Sequence, residues 1–203
     1  KKTKFKLNPR INENPYLDNQ LKQLEMQFNA TKQRLQNKFG TKKFIVYFQS
    51  FTNTYAPIAT LKALYEKALS FDNVIGLSIG TRTDCVTDEI LDYLVDLSKD
   101  KEIWIEFGIQ SFYDETLIDI NRGDTAENMR YWITRSKEKG LNVCGHLIYG
   151  LPKETQEMML ETFRQTVELK VDSIKFHPLY VVKNTLLTNE FKKGRFTPIS
   201  EEL

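Results

Sequence analysis

Cysteine is scarce in this chain. Two occur in 203 residues, Cys85 and Cys144, far apart and in no C-x-x-C pattern. That spacing does not support a disulfide framework, and a reducing cytoplasm is the expected setting. No apolar run approaches the length of a bilayer span, so no membrane partner is expected. The basic start (Lys1, Lys2, Lys4, Lys6, Arg10) lacks the apolar stretch of a secretory signal. A net charge of +2 leaves no compositional footprint for nucleic acid or an acidic membrane. Gly/Ser-rich linkers and low-complexity tracts are missing too, so one domain over residues 1–203 is expected. What remains is 40% hydrophobic and 28% charged, enough to fill a sizeable core.

Five short runs rich in β-branched and aromatic residues recur: Lys43–Gln49, Val74–Gly80, Glu102–Gln110, Leu141–Tyr149 and Asp172–Tyr180. Helix-period segments separate them, over Pro57–Leu69, Thr87–Leu97, Thr125–Lys139 and Thr155–Leu169. Strands alternating with helices at about thirty-residue spacing predict right-handed βαβ units and a parallel sheet. Tyr16–Phe39 carries a further helix pattern (Leu17, Leu21, Leu24, Phe28, Leu35) with no strand before it. Near the other end, Ser200 reads as the N-cap of a helix that stops at once. Both ends therefore read as truncated, with a first strand missing, the alternative being termini that simply fray.

Alternation along the strands is the sharpest clue. Ile75, Leu77 and Ile79 alternate with Gly76, Ser78 and Gly80, and Arg82 follows. Ile103, Ile105, Phe107 and Ile109 alternate with Trp104, Glu106, Gly108 and Gln110. Val143 and Leu147 oppose Cys144 and His146, while Ile174 and Phe176 oppose Lys175 and His177. Helices are expected on the face of Ile75, Ile105, Leu147 and Phe176. A buried polar face is costly unless it is paired or lines a cavity, and a sheet curling into a barrel supplies one. Its working end lies where the strands run out, at Arg82, Gln110 and His177. A sheet with one solvated face would alternate as well.

Two segments carry a family likeness. Gly108-Ile109-Gln110-Ser111-Phe112 with Asn121-Arg122-Gly123 resembles a strand signature of oxygen-independent coproporphyrinogen oxidases and their radical S-adenosylmethionine (SAM) relatives. His146-Leu147-Ile148-Tyr149-Gly150-Leu151-Pro152, followed by Glu154-Thr155, resembles the next strand motif of those enzymes. Tyr47–Tyr55 and Leu77–Arg82 extend the likeness, which covers roughly Lys43 to Leu187. The whole is similar to an uncharacterised bacterial radical-SAM subfamily, itself similar to the Elongator catalytic subunit. The resemblance implies an α/β fold, a partial (β/α) TIM-like radical SAM barrel. It also implies an enzyme that binds S-adenosylmethionine and, with a [4Fe–4S] cluster, generates a 5′-deoxyadenosyl radical. A tRNA base is the substrate the Elongator likeness suggests, and a flavodoxin or ferredoxin the electron donor.

The family's cofactor residues carry over onto Gln110 for the ribose and Arg122 for the methionine carboxylate. The turn at Tyr149 and Gly150 matches the wall behind adenine. His146 stands where the oxidases have an aspartate. Gly80 replaces a strand glutamate, which shifts that role to Thr81 or Arg82. Gln49 and Ser50 occupy the stretch that usually receives the methionine amine. The cysteine triad for the cluster is absent from this chain and is expected upstream. Cys85 and Cys144 cannot replace it, and no metal ligand is expected here. Glu106, Lys175 and His177 read equally as lumen residues near a substrate or as an internal ion-pair network. One rival reading is a cluster-free barrel enzyme binding an anion through Arg82 and Arg122, with His146 or His177 as acid–base. Another is a non-catalytic binding module.

Overall fold

The computed structural model describes residues 16–49 and 51–199. Five parallel strands form one sheet in the order β1-β2-β3-β4-β5. They are β1 Phe44–Phe48, β2 Val74–Thr81, β3 Glu102–Gln110, β4 Asn142–Tyr149 and β5 Ser173–Pro178. Helices α1 Leu17–Phe39, α2 Ile58–Leu69, α3 Asp88–Ser98, α4 Asp114–Asp119, α5 Ala126–Glu138, α6 Gln156–Glu168 and α7 Leu186–Lys192 precede, connect and follow them. Sequential strand order with helical crossovers is the connectivity of a partial (β/α) barrel, as the rhythm of the sequence predicts. The pattern missed the short α4 and α7 and a 3-10 turn at Thr83–Cys85, each under two turns long. The helix start at Ser200 and any strand within residues 1–15 lie outside the described residues. Among the described residues, no helix is long and apolar enough to cross a membrane.

Two compact units make up the described chain, residues 16–80 with 87–104 and residues 81–86 with 105–199. In the first, the stripe expected on α1 is only half-buried, and its anchor is Phe28. That ring stacks on Phe71 at 4.6 Å and meets Phe44 edge-on at 5.9 Å. Leu91 and Leu94 of α3, three residues apart and so on one side of the helix, are fully buried. Asn53 ties two strand ends together: its Nδ2 donates to the carbonyls of Phe48 and Gly80, both at 2.9 Å. The Tyr65 hydroxyl donates to the Asn53 carbonyl at 2.6 Å. Asn53 thus fixes the ends of β1 and β2.

One expectation for β2 fails here. Ile75 is 39% exposed, while Val74, Leu77 and Ile79 are buried. The pairing explains it, since Phe44 pairs with Val74 but Ile45 pairs with Gly76. The extra residue is a β-bulge that turns Ile75 off the apolar face. Gly76 fits beside it because a Cβ there would fall 1.9 Å from the Glu102 carbonyl oxygen.

In the second unit, Ile105, Phe107, Ile109, Val143 and Leu147 are completely buried. Phe176 shares their face yet is 49% exposed, because β5 ends the sheet order and, among the described residues, has no strand beyond it. Its ring leans on Phe163 of α6 and on Tyr149. The buried side of α6 is Met159, Thr162 and Thr166, whereas Leu160 and Val167 are exposed. Small side chains suit that position: a Cβ on Gly145 would fall 3.1 Å from the Thr166 methyl and 2.8 Å from Ile109 Cδ1.

Four helices begin on a threonine whose hydroxyl accepts the third helical N–H: Thr87, Thr125, Thr155 and Thr185. At α5 the Asp114 carboxylate also accepts the Ala126 N–H at 2.8 Å. Thr125→Ala leaves the Asn128 N–H without that cap and is expected to cost about 1 kcal/mol, read as a lower urea midpoint at unchanged slope.

Candidate functional site

The site is built where β3 ends. Gln110, its last residue, takes φ +69, and Ser111 N–H donates to the Ile109 carbonyl at 2.9 Å. A non-glycine residue held in so tight a turn stores backbone strain, a feature that collects at functional sites. Two residues earlier, Gly108 faces the same way and carries no side chain. A Cβ there would fall 2.8 Å from Gln110 Nε2 and 3.1 Å from Arg122 Nη2, so both side chains gather over its bare face.

Arg122 follows α4 and donates Nη2 to the Gly108 carbonyl at 2.5 Å. Its Nε is buried and has no hydrogen-bond partner. No carboxylate pairs with this guanidinium among the described residues. Burial, and then the neighbouring Arg82 cation, pull Arg122 below the ordinary arginine range. Arg82 is already committed: it forks onto Asp84 at 2.7 and 2.6 Å and donates Nη2 to the Arg122 carbonyl at 2.8 Å. The hydrogen bond to Asp84 pushes Arg82 up. Thr81 is buried at the end of β2, and Thr83 Oγ1 donates to Asp124 Oδ2 at 2.5 Å. An arginine whose anion is provided by the fold stands beside one that lacks an anion.

A hydrogen bond joins the two sequence motifs. Ser111 Oγ donates to Glu154 Oε1 at 2.5 Å, and burial pushes the Glu154 carboxyl up. Of the expected adenine wall, the Tyr149 ring lies against Phe176 at 5.1 Å. The Tyr149 carbonyl accepts Leu179 N–H at 2.9 Å. Gly150 has φ +85 and donates its N–H to Met159 Sδ at 3.1 Å, and a Cβ there would meet the Ile199 side chain at 2.9 Å.

A second cluster crosses three strands. Glu106 of β3 is only 5% exposed. Its Oε2 receives Lys175 Nζ of β5 at 2.6 Å and contacts His146 Nε2 of β4 at 2.6 Å. The other ring nitrogen of His146, Nδ1, lies 3.3 Å from Nε2 of the exposed His177. Parallel pairing of His146 with Lys175 and of Ile148 with His177 makes these contacts possible. Cys144 Sγ is also close, with a donor atom within 4.8 Å of those of Glu106 and His146. Burial pushes that thiol up, and the Lys175 ammonium already holds the carboxylate. Glu106, His146 and Lys175 are thus joined as an ion-pair network, with the Cys144 thiol beside it.

Of the expected site residues, Arg82, Gln110 and Arg122 come together, and His146 joins the network with both ring nitrogens occupied. Gln49 is exposed just after β1 in the first unit, and Ser50 lies outside the described residues. Gly108, Asp84 and Asp124 belong to the site although they were not singled out. A glycine inside a strand signals a close approach and could have flagged Gly108.

Burial lowers the His146 imidazole below its usual range, against the opposing pull of the Glu106 hydrogen bond. The folded protein therefore holds it neutral, while the unfolded chain takes up its proton near pH 6.5, the ordinary histidine value, to within about a unit. The stability it confers is present above that pH and lost as pH falls. Denaturant midpoints should drop between about pH 7.5 and 5.5, and His146→Gln should flatten the decline.

Residues 16–166 match the family model described as Radical SAM superfamily, and residues 171–203 match the Radical_SAM C-terminal domain. The chain is 36% identical over 187 residues to "Uncharacterized protein YtqA" of Bacillus subtilis, covering 92% of this chain and 58% of that protein. It is 30% identical over 131 residues to the tRNA uridine(34) acetyltransferase of Methanocaldococcus jannaschii, covering 63% of this chain and 24% of that one. Among solved structures, Elp3 of Methanocaldococcus infernus superposes with TM-score 0.72 at 25% identity, over 88% of this chain and 47% of that chain. The chain thus spans little more than half the length of the curated relatives it matches first. With the family model covering most of its residues, and the strand order and strand-end motifs in agreement, the chain belongs to the radical SAM superfamily.

Proposed function

We propose that the β3 end binds S-adenosylmethionine, with Arg122 holding the methionine carboxylate and Gln110 the ribose. The observation that carries this reading is the buried Arg122 guanidinium, which has an unpartnered Nε and no carboxylate of its own. A guanidinium fork matches a carboxylate in shape and charge, and a ligand carboxylate would supply the anion the fold omits. Gly108 supports the fit by leaving room for both side chains. Arg82, tied to Asp84, shapes the site from beside it, and Thr81 contributes at the end of β2. In the same reading Tyr149 and Gly150 offer backbone to the adenine.

S-adenosylmethionine supplies hydrogen-atom abstraction from an otherwise unreactive substrate. This chain's residues do not fit a [4Fe–4S] cluster. They include two cysteines, with Cys85 pushed up to about 11 by burial first and by Asp84 next. In this reading the cluster takes its ligands from residues other than these, and its electron comes from a donor such as a flavodoxin or ferredoxin. A tRNA base is the substrate in this reading, supported by the likeness to Elp3 and to a tRNA uridine(34) acetyltransferase.

Calorimetry of S-adenosylmethionine with the intact, cluster-loaded protein tests it. Arg122→Ala should weaken binding about ten- to a hundred-fold, the loss of roughly 1.5–3 kcal/mol from a charge-assisted contact. Gln110→Ala should weaken it too. Wild-type affinity in both variants would overturn the assignment. Gly108→Ala is expected to weaken binding although it leaves Arg122 and Gln110 unsubstituted, because the new methyl group displaces both side chains.

A further inference from the structure

The network on the polar face of β3, β4 and β5 has a direction. Glu106 is anchored by the Lys175 ammonium at 2.6 Å and is buried, so it acts as an acceptor toward His146 Nε2. A neutral His146 that donates from Nε2 keeps its lone pair on Nδ1. Nδ1 must then accept, which makes Nε2 of His177 the donor across 3.3 Å. His177, with one ring nitrogen donating inward, carries its own lone pair on Nδ1, and the residue is exposed. Ring planes tilted by 32° and centroids 5.2 Å apart keep the two imidazoles in contact. The charged and titratable groups facing the pair are Glu106 from β3, Cys144 from β4 and Lys175 from β5.

We propose that His177 is a general base at this site, its Nδ1 taking a proton from a bound molecule while His146 and the Glu106–Lys175 ion pair orient it. In that step an X–H bond breaks, its electron pair stays on X, and an N–H bond forms at Nδ1. The resulting imidazolium still donates Nε2–H to His146, whose own Nε2–H still rests on the Glu106 carboxylate. The positive charge is thus stabilised along the chain, and no oxidant or reductant is consumed. The chemical class it serves is a weakly acidic ring N–H or a C–H next to a carbonyl. His177 is the residue that would touch the substrate, while His146 and Glu106 act through it as positioning residues. The inference rests on the radical SAM reading only for the identity of the bound molecule.

Diethyl pyrocarbonate, which acylates an imidazole lone pair, probes the arrangement without cofactor or substrate. In the intact protein, peptide mapping should show acylation of His177 and protection of His146. Glu106→Gln removes the charge that supports the relay and should slow His177 acylation several-fold, although that side chain does not touch His177. An unchanged rate in Glu106→Gln, or acylation of His146 as fast as that of His177, would overturn the proposal. Nitrogen-15 spectra of the unmodified protein give an answer that depends on no variant. Both rings should carry the proton on Nε2, and an Nδ1–H form of either reverses the chain and refutes the base. Calorimetry of S-adenosylmethionine plays no part in these measurements, so the cofactor reading and the relay fail separately.

Discussion

A carboxylate buried in the middle of a strand is the constraint on which the second unit depends. Glu106 can remain in β3 only because β4 and β5 bring a histidine and a lysine to the same oxygen, each at 2.6 Å. Stranding such a charge by removing a partner typically costs about 3–5 kcal/mol, comparable to much of a domain's net stability. The demand acts on register. A one-residue slip of β5 against β4 would turn Lys175 and His177 to the apolar side and send Ile174 and Phe176 inward. The polar network thus specifies pairing that apolar packing alone would leave less sharply defined.

The same economy of polar groups shapes the β3 end. Arg82 has its anion in Asp84, Thr83 has Asp124, and Ser111 has Glu154. Arg122 stands apart because, among the described residues, its side chain is given a backbone carbonyl, on Gly108, and no carboxylate. In a site where neighbouring polar groups are paired within the fold, Arg122 is the group left incomplete, with a buried Nε that has no partner. Two small structural choices make this possible: a glycine where a side chain would collide, and a left-handed residue that turns the chain sharply at the strand end.

Much of this was legible before any coordinates. Strand and helix bounds read from periodicity agree with the structure to within a residue or two, because a period of two or of 3.6 reflects faces that must be buried. Ile105 and Leu147 are buried as their alternation indicates. Ile75 and Phe176 carry the same apolar signal and are exposed, one turned by a bulge and the other left on a terminal strand. Neither cause is local: a bulge is defined by the partner strand, and an edge by the absence of one. Helices α4 and α7 escaped because segments of six and seven residues carry too few turns for a period to show.

The site divides along the same line. The sequence by itself determined the family through its ordered motifs, and it determined that acidic, basic and imidazole groups share one strand face. Spacing alone could not say whether those groups face a ligand or one another. Pairing distances across strands decided that, by joining Glu106, His146, Lys175 and His177 into one chain of contacts. They likewise decided which of two similar arginines is satisfied, Arg82 by Asp84 two residues away and Arg122 by a carbonyl fourteen residues back. Residue type and period are properties of the chain and are read directly. Whether a charge is paired depends on atoms that approach within about 3 Å from distant positions, and only the folded backbone brings them there.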